Sequence, residues 1–290
     1  MRVAWIGVGT MGLPMAGHLV AAGHEVVACD LDPDRARALG AAVAQSPAEA
    51  AAGVDVAILS LPSPAAVEHA ALGPGGAAEG LSRGSVLVDM STSPPALARH
   101  LAGALGAAGV EVLDAPVSGG PLGAEAGTLA VMVGGPAAAF ERCLPLFEAI
   151  GSRVERVGDH GAGQTVKLCN NLIVACAMAA IGESCRLLEQ AQIDPVLAYE
   201  CFTSSTSDSS VMRRRFPVPG VRQEHPASRA YEPLFRLDLL VKDLGLALEL
   251  AAGQGVATPV ADAAAGLYRA ALDEGLAGLD YSAVYRVQGQ

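Results

Sequence analysis

The chain has 290 residues, of which 51% are hydrophobic and 17% charged, enough apolar material for one large or two ordinary domains and too little charge for a disordered polymer. A net charge of −11 argues against a sequence-independent grip on nucleic acid, which needs a basic surface. The longest apolar run on the long helix, Leu172 to Ile181, is too short to cross a bilayer, and six cysteines without CxxC spacing point to a reducing, cytoplasmic setting with no structural metal.

A short apolar strand, Val3 to Ile6, runs into Gly7-Val8-Gly9-Thr10-Met11-Gly12. A helical pattern from Met15 to Ala22 follows, then a second strand from Glu25 to Cys29 with Asp30 at its end. Strand, GxGxxG, helix, strand, acid is the order that binds a dinucleotide. Gly7 permits the tight turn, Gly9 lets a pyrophosphate approach the backbone, and Gly12 lets the helix pack on the sheet. The free N–H groups of the helix start then face the phosphates. Asp30 is placed to accept the adenosine ribose hydroxyls, which predicts NAD rather than NADP.

Ser46-Pro47-Ala48-Glu49 reads as a capping box. Buried strands are expected over 55–61, 85–90, 110–113 and 129–133, with a helix over 137–150 and a short strand near Val154. Apolar runs separated by helical segments describe an α/β chain with a doubly wound sheet. The loops at Pro62 and Thr92 follow strands, where ligands sit in such sheets. Beyond about residue 160 no strand alternation is found. One helix is predicted over 165–192, small and apolar in its middle, followed by helices near 195–203, 235–252 and 258–273. Asp194-Pro195 and Thr258-Pro259 each read as an N-cap with Pro in the first turn. These patterns predict two domains, 1–162 and an all-helical 163–290. The small-residue helix middle needs partners on every side, which predicts a homo-oligomer.

Seventeen arginines stand against two lysines, Lys167 and Lys242. Arg stays protonated near neutral pH, whereas a desolvated Lys can release its proton, so an amine that must exchange a proton has to be Lys. Lys167 follows the Gly-rich turn Gly161-Ala162-Gly163, and Asn171 lies one helical turn on, on the same face. Ser118-Gly119-Gly120 follows a strand and can offer backbone N–H groups to a carboxylate. Arg213-Arg214-Arg215 reads as a solvated face.

With GVGTMGLPMAGHL at 7–19, DAPVSGGPLGAEAGTL at 114–129, GAGQTVKLCNN at 161–171, PVPGV at 217–221 and KDLGLA at 242–247, the whole chain resembles the β-hydroxyacid dehydrogenase family, and most closely its branch acting on 3-hydroxyisobutyrate. The resemblance implies a Rossmann-type domain, a long interdomain helix, an all-helical second domain and a homodimer or homotetramer. It implies Lys167 as general acid/base, Asn171 beside it, and Ser118, Gly119 and Gly120 on the substrate carboxylate. Gly7, Gly9, Met11, Gly12, Asp30, Leu61, Pro62, Thr92 and Lys242 would line the NAD site. The implied reaction is hydride transfer between NAD and a small 3-hydroxy acid, 3-hydroxyisobutyrate giving methylmalonate semialdehyde. A reductase of tartronate or succinic semialdehyde, an imine reductase and a non-catalytic NAD-binding module are the alternatives. Thr203 to Ser209 departs from the family pattern: Thr206 stands where a Gly is usual and the aromatic after it is missing, which leaves the hydroxy acid open.

Overall fold

A computed structural model describes residues 1–289. The chain forms two compact units, Met1–Lys167 and Leu168–Gln290.

In the first unit, β1 (Arg2–Ile6), β2 (Glu25–Cys29), β3 (Ala42–Val43), β4 (Val56–Leu59), β5 (Val86–Asp89) and β6 (Glu111–Asp114) lie parallel in the order β3-β2-β1-β4-β5-β6. That is the Rossmann order, with the direction of progression reversing between β1 and β4. Next to β6 the sheet turns mixed. β8 (Leu129–Gly134) pairs antiparallel with β6 and with β7 (Val117–Ser118), and parallel with β9 (Gly151–Gly158). β9 is the expected short strand near Val154, lengthened by its ladder to β8.

The strands read as continuous apolar runs because both faces are covered. Val3 and Trp5 point into one core, with Met15 and Leu19 of α1 (Gly12–Ala21). Ala4 and Ile6, alternating with them, point into the other. The remaining helices of this unit are α2 (Pro33–Ala38), α3 (Pro47–Ala51), α4 (Pro64–Leu72), α5 (Ala77–Gly80), α6 (Pro95–Gly106), α7 (Gly120–Glu125) and α8 (Ala137–Ile150). Leu101 of α6 joins the second core, and Phe147 of α8 the first. The Trp5 indole N–H is buried and donates to Gly7 O at 3.1 Å, so the largest core side chain leaves no polar atom unpaired. Ser46 caps α3 as expected, its Oγ accepting from Glu49 N, but the Glu49 carboxylate takes the N–H of Gln45 rather than that of Ser46.

The long helix α9 (Ala162–Gln190) begins at the end of the first unit and continues into the second. By length and composition it is sufficient to cross a bilayer, where the apolar run alone had read as too short. In the second unit it is followed by α10 (Pro195–Thr203), α11 (Ser210–Arg215), α12 (Leu237–Gly253) and α13 (Pro259–Asp273), with short 3-10 turns at Pro226–Arg229 and Tyr281–Val287. Ala175 and Met178 of α9 pack with Leu240 and Leu244 of α12 and with Tyr268 of α13. The burial is one-sided: Ala180 is exposed and Ile173 is 65% exposed. Asp194 caps α10 through Val196 N at 2.8 Å. Thr258 makes no side-chain cap on α13, so Pro259 alone marks that start. Arg215 is no solvated cation. Its side chain is 14% exposed and pairs at 3.3 Å with the buried Asp280, which also accepts Leu234 N, Phe235 N, Ser282 N and the Ser282 hydroxyl.

Candidate active site

The GxGxxG turn joins β1 to α1. Gly7 has φ +96°, and a Cβ there would lie 2.3 Å from Ser60 O. A Cβ on Gly12 would lie 2.0 Å from Gly7 O, so only Gly lets α1 start this close to the turn. Over Gly9 nothing lies within 4 Å of a Cβ position, and the half-buried Met11 precedes a helix start with neither a side-chain cap nor an acid in its first turn. Open space above a glycine, beside free N–H groups at a positive helix end, suits a pyrophosphate. Asp30 lies at the end of β2 and holds this turn, accepting Val8 N at 2.7 Å and Asp32 N at 2.9 Å. The nearby Arg35 and Arg37 pair with Asp32 and Asp34.

The loops after β4 and β5 are joined. Leu61 N donates to Ser91 Oγ at 2.9 Å, which ties the Leu61-Pro62 loop to the turn carrying Thr92. Leu61 and Thr92 are half-buried and Pro62 is exposed. The turn at Gly7 and the residues Asp30, Leu61, Pro62 and Thr92 therefore all follow the carboxyl ends of β1, β2, β4 and β5. Ser118 ends β7, opposite Ala130 of β8, and the chain then turns at Gly119 (φ +139°) and Gly120 (φ +66°) into α7.

The start of α9 rests on β5 and β6. Asp114, at the end of β6, accepts Gly161 N at 2.7 Å and Gln164 N at 2.9 Å, capping the helix from a distant point in the chain. A Cβ on Gly163 would lie 2.3 Å from Met132 O, so that glycine lets the helix start seat on β8. The Gln164 amide reaches across to β5, donating to Ser91 O at 2.9 Å and accepting Ser93 N at 3.0 Å. Asp89 accepts Ser91 N and the Ser93 hydroxyl, each at 2.9 Å. Burial pushes the Asp89 carboxyl up to about 6 against the pull of those bonds, and pushes Asp114 up as well. Lys167, one turn beyond Gln164, is 8% exposed.

In the second unit, Asn171 is buried on α9. Its amide donates to Asp243 Oδ2 at 2.6 Å and accepts from Asn170 at 2.9 Å. The other Asp243 oxygen pairs with Lys242 Nζ at 2.9 Å. Asp243 is 3% exposed and Lys242 half-buried.

Residues 2–158 match the family described as the NAD binding domain of 6-phosphogluconate dehydrogenase, and residues 161–288 the family described as NAD-binding of NADP-dependent 3-hydroxyisobutyrate dehydrogenase. The chain belongs to the β-hydroxyacid dehydrogenase family. A 3-hydroxyisobutyrate dehydrogenase of Pseudomonas aeruginosa is 39% identical over 98% of this chain and 97% of its own length. An NAD-dependent L-serine dehydrogenase of the same species is 39% identical over 100% and 99%. The solved structure of Mycobacterium tuberculosis 3-hydroxyisobutyrate dehydrogenase with L-serine aligns with a TM-score of 0.91 at 34% identity, covering 100% of this chain and 99% of that one. This β-hydroxyacid dehydrogenase is thus a nicotinamide-dinucleotide-dependent oxidoreductase acting on the CH–OH of a hydroxy acid.

Sequence reading assigned no role to four polar side chains of this dehydrogenase: Asp89, Asp114, Gln164 and Asp243. Lys242-Asp243 stood out in the sequence, but only through its lysine. Asp114 and Gln164 gave no signal because their partners lie 47 to 73 positions away, and Asp89, bonded to the nearby Ser91 and Ser93, read only as the end of a buried strand.

Proposed function

We propose that this dehydrogenase transfers hydride between NAD and a small 3-hydroxy acid, with Lys167 exchanging the hydroxyl proton. The observation that carries the reading is Lys167 itself: one of two lysines in the chain, buried in the first turns of α9 on a frame of buried hydrogen bonds. The nicotinamide, when bound, accepts or returns the hydride. Gly7, Gly9, Met11 and Gly12 would hold the pyrophosphate, Asp30 the adenosine ribose, and Leu61, Pro62 and Thr92 the nicotinamide half, with Lys242 supporting the cofactor. Lys167 Nζ takes the hydroxyl proton during oxidation and returns it to the carbonyl oxygen during reduction. Asn171 orients the substrate, and Ser118, Gly119 and Gly120 receive its carboxylate. NAD is favoured over NADP because Asp30 repels a 2′-phosphate, while Arg35 and Arg37 are engaged by neighbouring acids.

The preferred substrate in this reading is 3-hydroxyisobutyrate. L-Serine, itself a 3-hydroxy acid, is the second, because a relative of equal identity bears the name of a serine dehydrogenase. We further propose a cytoplasmic homodimer or homotetramer with neither nucleic acid nor membrane as partner. The exposed Ile173 and Leu187 on α9 supply apolar surface for self-association.

The test is Lys167→Arg beside Lys167→Ala. Arg keeps the cation but cannot deprotonate, so both variants should lose about 10²–10⁴-fold in kcat while still binding NADH by fluorescence titration. Near-normal kcat in Lys167→Arg would remove the proton-transfer role.

A further inference from the structure

We propose that Gln164 is a positioning residue that sets the spacing between the Thr92 turn and Lys167. The inference rests on the hydride-transfer reading above and adds a residue to it.

The Gln164 side chain is fully buried and uses both ends of its amide on one turn: Nε2 donates to Ser91 O and Oε1 accepts Ser93 N. The two bonds bracket Thr92. A neutral primary amide here does what a neighbouring strand's peptide would do, with one donor and one acceptor on a single rigid plane. The same residue's backbone N–H is held by Asp114, so Gln164 is fixed at both its main chain and its side chain. The Thr92 turn is held from beneath as well, through Asp89 to Ser91 and Ser93. Lys167 follows within one helical turn. In the reading above, the turn at Thr92 faces the nicotinamide half and Lys167 faces the hydroxyl proton. A shift in one relative to the other moves the hydride path against the proton path. A misplacement of about 1 Å in such geometry costs on the order of 10²-fold in rate.

Gln164→Met preserves length and approximate volume and removes both bonds to the turn, together with the longer 3.5 Å bond from Nε2 to Asp89 Oδ2. It should lower kcat per active site by about 10–100-fold, and the primary deuterium isotope effect with a substrate labelled at the carbinol carbon should rise as hydride transfer becomes rate-limiting. A residue that only held the fold would lower the melting temperature and the count of titratable sites, leaving the isotope effect and kcat per site at parental values; that result overturns the proposal.

Gln164→Glu gives a second reading should the Met variant fail to fold. Glu keeps the acceptor for Ser93 N and regains the donor for Ser91 O only when protonated. The titratable groups around it are Asp89 at the end of β5, Asp114 at the end of β6, and His160, which acts on Asp114. Gln164 Nε2 lies 3.5 Å from Asp89 Oδ2, so a carboxyl at 164 titrates together with Asp89, and the ratio of variant to parent kcat reports the protonation of that pair. That ratio should rise as pH falls, and a ratio that stays flat overturns the proposal. If the parent itself turns over no hydroxy acid with NAD, it is the hydride-transfer reading that fails; a working parent matched by Gln164→Met sinks the Gln164 role alone.

Discussion

Each compact unit buries carboxylates against an amide carried by α9, and the two units satisfy them by different means. In the first, Asp114 takes two backbone N–H groups, and Asp89 takes one N–H, one hydroxyl and, at 3.5 Å, the Gln164 side-chain amide. In the second, Asp243 is held by the Lys242 ammonium and the Asn171 side-chain amide. Donors of the first kind are mostly main-chain N–H groups, in the turn after β5 and at the start of α9, with the Ser93 hydroxyl added. Donors of the second kind ride on rotatable side chains. The first arrangement makes a frame and the second an adjustable contact. The carboxyls in the frame lack a full opposing charge, so burial prevails over their hydrogen bonds and holds both pKa values above the ordinary range.

The largest stability effect should come from breaking the frame. Asp114→Ala leaves the N–H groups of Gly161 and Gln164 buried without acceptors, at about 1–3 kcal/mol for each. A loss of about 2–5 kcal/mol in urea denaturation is expected. Asp243→Ala should cost less, about 1–3 kcal/mol, because Lys242 has solvent to turn to. The reverse order would show that the second cluster, not the first, carries the structural load.

The next effect depends on pH. Asp89 titrates at about 6 in the folded chain, above the ordinary 3.8. Folded protein then keeps a proton that unfolded chain releases, so Asp89's contribution is most favourable in acid and is lost as pH rises from about 4 through about 6. The loss reaches about 3 kcal/mol at most, from the displacement of the pKa. Asp89→Asn removes the titration and keeps an acceptor for Ser91 N, while the Ser93 hydroxyl can rotate to accept. Denaturation of both proteins from pH 4 to pH 7 should show the difference moving in the variant's favour up to about pH 6 and levelling there. A difference independent of pH would mean Asp89 is ionised throughout.

The frame and the adjustable contact were not equally legible. The sheet was, because strands covered on both faces are apolar without interruption and their ends carry punctuating residues such as Asp30 and Pro62. The dinucleotide turn was, because Gly7 and Gly12 each answer a local steric demand. Lys167 was found by scarcity rather than by contact. The polar frame was not legible: Gln164 meets Ser91 and Ser93 across more than 70 positions, and nothing local to any of them marks the pairing. Arg215 failed for the same reason, its partner Asp280 lying 65 positions away. The Glu49 carboxylate went to Gln45 N by a rearrangement of local donors that the capping-box pattern does not distinguish.

The smallest effect should be the exchange of one cation for another in the adjustable contact. Lys242 is 26% exposed at its side chain and Asp243 is 4% exposed, so the pair sits at a boundary where either cation can keep its charge solvated on one side. Lys242→Arg keeps the charge, and the guanidinium fork can still offer a donor to the Asp243 carboxylate. The stability change should stay under about 1 kcal/mol, the usual range for partly exposed pairs, and kcat should fall by less than roughly tenfold, or 1.4 kcal/mol in barrier. Lys242→Met is the informative partner. It leaves the buried Asp243 with the Asn171 amide as a donor, and in the proposed reading, where Asn171 orients the substrate, that amide is then pulled between the two. Lys242→Met should therefore lower kcat/KM more than Lys242→Arg does, with most of the loss in KM if Asn171 holds the substrate equally in ground and transition states. Equal and large losses in the two variants would show that Lys242 acts through the shape or the acidity of its amine, as expected for Lys167, whose exchange for Arg should cost as much as its exchange for Ala.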